Sequence, residues 1–247
     1  MTHAIAAQTR TQAPVEAAIG RLKEVGAFLM AAADLNLCLG VDDDAWTRFS
    51  AHWEQLAPDS YAAELGTRRL RRYGHFMFGA TDGVARPMPH GAFVQPADSN
   101  PLYTEKDRYF EPLTAAFASD PLLNGVLKLL GRAATALDNV TQWSVKVTPF
   151  RVLASADGEG QPTPEGLHRD GVTLVTSLLV GRRNASGGES SVCDVHGHRL
   201  LTTTLSEPGT LLLGDDRRTM HGVSPIRPLD PSESARRDVL VITFAPY

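Results

Sequence analysis

Pro164-Glu165-Gly166-Leu167-His168-Arg169-Asp170-Gly171 runs directly into Val172-Thr173-Leu174-Val175-Thr176-Ser177-Leu178-Leu179-Val180. The first block sets a histidine and an aspartate two residues apart, and the second is a strand-like run rich in β-branched residues. In extended chain side chains alternate and each residue rises ~3.3 Å, so His168 and Asp170 fall on the same side and can grip one ion. Downstream, Met220-His221-Gly222 opens another strand-like run and offers His221 as a third ligand. Two imidazoles and one carboxylate on a single face leave the other octahedral positions open, which suits non-haem Fe(II) used with dioxygen. A His-x-Asp alone arises by chance in many proteins, and a single histidine is more often a surface or core residue than a ligand. Here Gly166 and Gly171 flank the pair and strands follow it.

At 247 residues the chain can bury a sizeable core, and all-β folds of this length often form one domain. Neither an internal repeat nor a long linker divides it. The expected organisation is a single domain over 1–247, with residues 1–138 mostly helical and 139–247 carrying the metal site. A net charge of −4 without a Lys/Arg-rich run argues against a nucleic-acid partner and for a small molecule. Met1 to Gln12 has no apolar segment of signal-peptide length, and nowhere do ~20 apolar residues run together. A cytoplasmic location without membrane contact is therefore expected; a homodimer is compatible with the chain. Cys38 and Cys193 lack metal-type spacing and read as idle thiols.

Along the N-terminal half, Pro14 reads as a first-turn proline. Val15, Ile19, Leu22, Val25 and Leu29 follow at helical spacing toward Ala33. Asp42, Asp43 and Asp44 read as an N-cap with favourable dipole charge, ahead of Trp46, Phe49, Trp53 and Leu56. Leu70 to Phe78 suggests one strand, from which Arg72 and Tyr73 are candidates for a substrate carboxylate; a strand edge with solvated arginines is the plain alternative. Thr81 to Asn100, rich in Pro and Gly, reads as a long loop of the kind used for lids, and its His90 earns no ligand role. Helices are expected over Lys106–Ser119 and Pro121–Leu137.

After Asn139 the character changes. Trp143–Leu153, Val172–Val180, Glu189–Val195, His198–Leu205, Thr210–Leu213, Met220–Ile226 and Val239–Phe244 are short strand-like runs separated by Gly- or Pro-bearing turns. Strands in series behind a set of helices fit an α+β, mainly β protein: a double-sheet jelly roll buttressed by N-terminal helices. His196 and His198, despite their His-x-His spacing, flank Gly197 in what reads as an exposed hairpin turn.

Pro164 to Gly171, together with Gly187-Gly188-Glu189, Leu213-Gly214-Asp215-Asp216, His221-Gly222-Val223-Ser224-Pro225-Ile226 and Arg237-Asp238-Val239-Leu240, resembles the bacterial 2-oxoglutarate/Fe(II) dioxygenase family that includes L-isoleucine 4-hydroxylase and related hydroxylases of free amino acids. The likeness covers roughly Gln142 to Phe244. It implies a double-stranded β-helix core, His168, Asp170 and His221 as iron ligands, and 2-oxoglutarate and dioxygen as cosubstrates. It also implies a basic residue after the distal histidine for the far carboxylate of 2-oxoglutarate. Arg237 is favoured over Arg236 because it directly precedes a strand. Many relatives carry Ser or Thr two positions after this arginine, where this chain has Val239; Thr210 or Ser224 are the hydroxyls expected to substitute.

The resemblance further implies hydroxylation of a small amino acid coupled to conversion of 2-oxoglutarate to succinate and carbon dioxide. An amino-acid substrate needs a cation for its carboxylate and an anion for its ammonium. Glu189, after two glycines that permit close approach, is a candidate for the ammonium. Arg151 either faces the site or flanks it; Arg169 alternates away from His168 and Asp170. The same iron chemistry used for desaturation or ring closure, and a non-catalytic metal-binding jelly roll, remain alternatives.

Overall fold

The computed structural model describes residues 2–64, 66–94 and 107–247, with side chains from residue 11 onward. Helix α1 (Thr2–Val25) precedes strand β1 (Ala27–Met30), α2 (Ala32–Leu39), α3 (Asp43–Ser50) and a 3-10 turn (Ala51–Gln55). Then come β2 (Ala57–Pro58), α4 (Ser60–Glu64), β3 (Arg69–Arg71), β4 (Gly74–Gly79), β5 (Val84–Pro87), α5 (Ala115–Ala118) and α6 (Pro121–Leu137). From there the chain is all strand: β6 (Gln142–Ala154), β7 (Leu174–Arg183), β8 (Ala185–Gly187), β9 (Glu189–Asp194), β10 (Arg199–Thr204), β11 (Leu211–Asp215), β12 (Thr219–Val223), β13 (Ile226–Pro228) and β14 (Ala235–Pro246). No described helix is long and apolar enough to cross a membrane.

The strands form a jelly-roll arrangement. A major antiparallel sheet runs β1-β11-β7-β14-β6-β3-β2, with β4 also pairing β6 and β5 pairing β4. A smaller sheet, β10-β9-β12, faces it, and β13 pairs β8. Period-two alternation divides the major sheet into two faces. On one face Val145 and Val147 of β6 and Leu240, Ile242 and Phe244 of β14 pack with Leu22 of α1 and Leu123, Leu127 and Leu130 of α6. On the other, Lys146, Thr148 and Phe150 of β6 and Arg237, Val239 and Val241 of β14 line a cavity between the sheets.

Several N-terminal expectations are corrected. The expected helix running toward Ala33 ends at Val25, because Gly26, at φ 89°, turns the chain out of the helix. Ala27–Met30 then pairs with Leu211–Gly214 as an edge strand. Pro14 lies inside α1, not in its first turn. The expected strand Leu70–Phe78 is two strands, β3 and β4, both on β6. The loop expected over Thr81–Asn100 holds β5, a hairpin partner of β4. Asp82-Gly83 makes its turn, Gly83 at φ 67° and Asp82 Oδ1 accepting from the Val84 N–H; residues 95–100 lie outside the described set. The helix expected over Lys106–Ser119 shrinks to Ala115–Ala118. The chain ahead of it is drawn onto the sheet, where the Tyr73 N–H donates to Glu111 and the Leu113 N–H to Tyr73.

Other expectations agree with the structure. Asp42 caps α3 by accepting from the Ala45 N–H, and α6 spans Pro121–Leu137 with Asp120 as its cap. His196 and His198 sit at an exposed hairpin end, their N–H groups donating to Asp194. Both cysteines are free thiols.

Candidate metal centre and substrate cavity

His168 lies between strands and His221 lies on β12, and the two pair as an antiparallel bridge. Their ring centroids are 4.3 Å apart. Asp170 reaches both rings: one carboxylate oxygen is 3.9 Å from His168 Nε2, the other 3.7 Å from His221 Nε2. The ligand atoms of the three residues lie within 4.8 Å of one another, so one ion can meet all three. Burial lowers the His221 pKa to about 4, which keeps the ring in the neutral form that ligates a metal.

Asp170 is held by a residue the sequence reading did not single out. The Asp216 carboxylate accepts the backbone N–H groups of Asp170, Gly171 and Val172 at 3.2, 2.8 and 3.1 Å. Its side chain is buried and lies 3.7 Å from His221 Nδ1. Asp216 thus fixes the chain on either side of the metal face. Its place in Leu213-Gly214-Asp215-Asp216 was the available signal.

The cavity beside this trio holds about 150 Å³. Among its lining residues Arg69, Arg71, Arg108, Lys146 and Arg237 are cationic, while Glu165 and Asp170 are acidic. A chain with a net charge of −4 therefore encloses a basic pocket. Burial lowers the Lys146 pKa and nearby Arg108 lowers it further, against the pull of Asp170. Glu165 Oε1 lies 3.5 Å from His168 Nε2.

Strand parity decides which of the candidate residues reach this space. Arg237 is 1% exposed, and its Nε and Nη2 have no hydrogen-bond partner in the described chain. Its neighbour Arg236 faces the opposite side and pairs with Glu54 at 3.4 Å. Arg151 also points to the helical side. It makes a two-bond fork with Asp238 at 2.8 and 2.9 Å and pairs with Glu54 at 2.8 Å. Arg72 turns outward and donates to the carbonyls of Gln55 and Pro112. Tyr73 is buried against His75 and Phe93 and does not line the cavity.

Glu189 is exposed at the start of β9, and its N–H donates to the Ser224 hydroxyl at 2.9 Å. Neither of these residues lines the cavity, nor does Thr210, just before β11. Arg169 is exposed. A hydroxyl that the sequence reading passed over lies on the inner face of β9, two residues from the cavity-lining Val192. Ser190 is 1% exposed and its Oγ has no partner in the described chain, but it is not among the residues that line the cavity. Arg71 and Lys146 were also missed, because the face of β3 and β6 that meets the cavity is set by their pairing in the sheet.

Residues 50–243 match the model of a family described as 2OG-Fe dioxygenase. No curated protein matches the chain significantly. Among solved structures, a bsmA homolog from Methylobium petroleophilum PM1 is 36% identical, covering 94% of this chain and 93% of that one, with a TM-score of 0.86. IDO from Bacillus thuringiensis is 17% identical over 94% of this chain and 95% of that one, TM-score 0.76. The Fe(II)/α-ketoglutarate-dependent dioxygenase TqaL is 17% identical over 97% of this chain and 89% of that one, TM-score 0.77. At that identity the last two speak to the fold alone.

Proposed function

The chain belongs to the 2OG-Fe dioxygenase family, and on that premise we propose that it hydroxylates a C–H bond of a small free L-amino acid. The observation that carries this reading is the cavity's mixed charge: a basic wall and the carboxylate of Glu165 line one small space beside the metal ligands. A zwitterion needs both signs within its own short length. An apolar side chain finds Val239, Val241, Val192 and Leu212 in the same cavity.

The donor set fits Fe(II), because two imidazole nitrogens and one carboxylate come close enough to meet one ion. Bound there, Fe(II) with 2-oxoglutarate and dioxygen supplies oxidative decarboxylation to succinate and carbon dioxide, with the second oxygen atom delivered into a C–H bond. The protein's part is position and exclusion of water. His168, Asp170 and His221 would hold the metal. Asp216 keeps the Asp170 segment in place through three backbone N–H groups. We assign the far carboxylate of 2-oxoglutarate to Arg237, whose two unpartnered N–H groups match a carboxylate's two oxygens.

The test is an aerobic incubation with Fe(II), ascorbate, 2-oxoglutarate and a mixture of free L-amino acids, read by mass spectrometry. Succinate together with an amino acid heavier by one oxygen is the expected result. Succinate with an amino acid lighter by two hydrogens would replace hydroxylation with desaturation or ring closure. No product from any amino acid would sink the substrate reading.

A further inference from the structure

Arg71, on β3, is 3% exposed and lines the same cavity as the metal ligands. Its Nη1 lies 4.0 Å from Asp59 Oδ2. In a guanidinium the edge joining Nε and Nη2 lies across from Nη1, so that edge faces away from Asp59. The two atoms on it, Nε and Nη2, are both buried and have no hydrogen-bond partner in the described chain.

Other arginines here put the same edge to use. In Arg151 it takes both oxygens of Asp238, and in Arg217 both oxygens of Asp215. In Arg69 it closes on Asp59, at 2.9 Å from Nε and 2.8 Å from Nη2, so Asp59 is already engaged. A desolvated guanidinium edge without a counter-charge is costly to keep, and an incoming carboxylate is the group whose shape and charge match it.

The setting keeps this edge in place. The Arg71 Cζ lies 3.5 Å from the Phe110 ring centroid, 4.7 Å from that of Phe150 and 4.9 Å from that of Phe93. Aromatic faces attract a cation and hold the planar group without consuming its N–H donors. Burial, with Arg69 and Arg108 nearby, also presses its pKa down, which favours an anionic ligand.

Arg71 and Arg237 enter the cavity from different strands. Arg237 pairs in register with Val152 on one side of β6, and Arg71 with Phe150 on its other side. Two strand spacings, about 9.6 Å of backbone, lie between them. If Arg237 takes 2-oxoglutarate, the second fork calls for a second acid. We propose that Arg71 is the anchor for the carboxylate of the substrate, which makes it the residue that selects α-amino acids over their carboxamides. This rests on the amino-acid reading above.

The test measures binding without turnover. The full chain is loaded with Mn(II) and saturating 2-oxoglutarate under nitrogen. It is then titrated with formate, with each free L-amino acid and with the matching carboxamides, following thermal stability and heat. Wild-type protein is expected to bind formate, and to bind at least one amino acid about 10- to 100-fold more tightly than its amide. Arg71→Met should lose the formate response and bring acid and amide to within about twofold, with 2-oxoglutarate affinity changed less than about twofold.

If Arg71→Met does not fold, Arg71→Lys carries the test. It keeps the charge but not the fork, and should lose most of the discrimination. A formate response that vanishes with Arg71, with no amino acid bound, would keep the anchor and reject the amino-acid reading. The anchor is overturned if wild-type protein ignores formate, if Arg71→Met still prefers acid to amide, or if it loses 2-oxoglutarate instead.

Discussion

His168 and His221 are tied through their backbones: each N–H donates to the other's carbonyl, at 3.0 and 2.9 Å. The two imidazoles therefore face Asp170 before any metal arrives, and their segments are joined by main-chain bonds that do not depend on the side chains. His168→Ala and Asp170→Ala should each lose iron binding and turnover while keeping the wild-type circular dichroism spectrum. Retained turnover in either variant would remove that residue from the ligand set.

Asp216 acts on the same centre through the backbone. Asp216→Ala leaves three N–H groups around Asp170 without their acceptor. Metal affinity should fall about 10- to 100-fold, measured by competition with a chelator. An unchanged affinity would mean that the Asp170 segment is held by other contacts.

Arg237 and Arg236 are neighbours with opposite environments. Arg237→Met should raise the 2-oxoglutarate dissociation constant by about 100-fold, because a charged two-bond contact is lost, with little effect on Mn(II) affinity. Arg236→Met should leave both within about twofold, since its partner is an exposed Glu54. Calorimetric titration of the two variants separates these outcomes.

Arg151 serves stability. Its side chain is 9% exposed and that of Asp238 6%, and removing one partner strands the other charge. Arg151→Met should cost about 3–5 kcal/mol in urea unfolding. The turnover of the remaining folded protein should be unchanged; a selective rise in substrate KM would instead return Arg151 to the substrate site.

Gly131, within α6, lets that helix lie against the sheet: a Cβ there would come within 2.2 Å of the Phe78 ring. Gly131→Ala should destabilise the protein by about 1–3 kcal/mol through overpacking, despite alanine's better helix propensity. Unfolding midpoints decide the sign.

Much of the β half is readable along the chain, because short β-branched runs punctuated by Gly and Pro turns carry their own signal. Val239–Phe244 falls inside β14, and Met220–Ile226 covers β12 and the start of β13. The N-terminal half is less readable. Ala27–Met30 is apolar at a spacing that also continues a helix, and only its pairing with β11 makes it a strand. Residues 107–114 are extended because Tyr73 and Phe93 supply hydrogen-bond partners remote in sequence.

The sequence by itself determined the His-x-Asp and distal His pattern and its strand context. All of these are local: side-chain chemistry, alternation and turn residues over a few positions. Tertiary structure alone decided which cations share the cavity. Arg71 against Arg72, and the Arg151–Asp238 fork against a substrate role, depend on which face of a shared sheet each residue occupies. That is settled by pairing between β3, β6 and β14, and a shift of one residue would reverse every assignment.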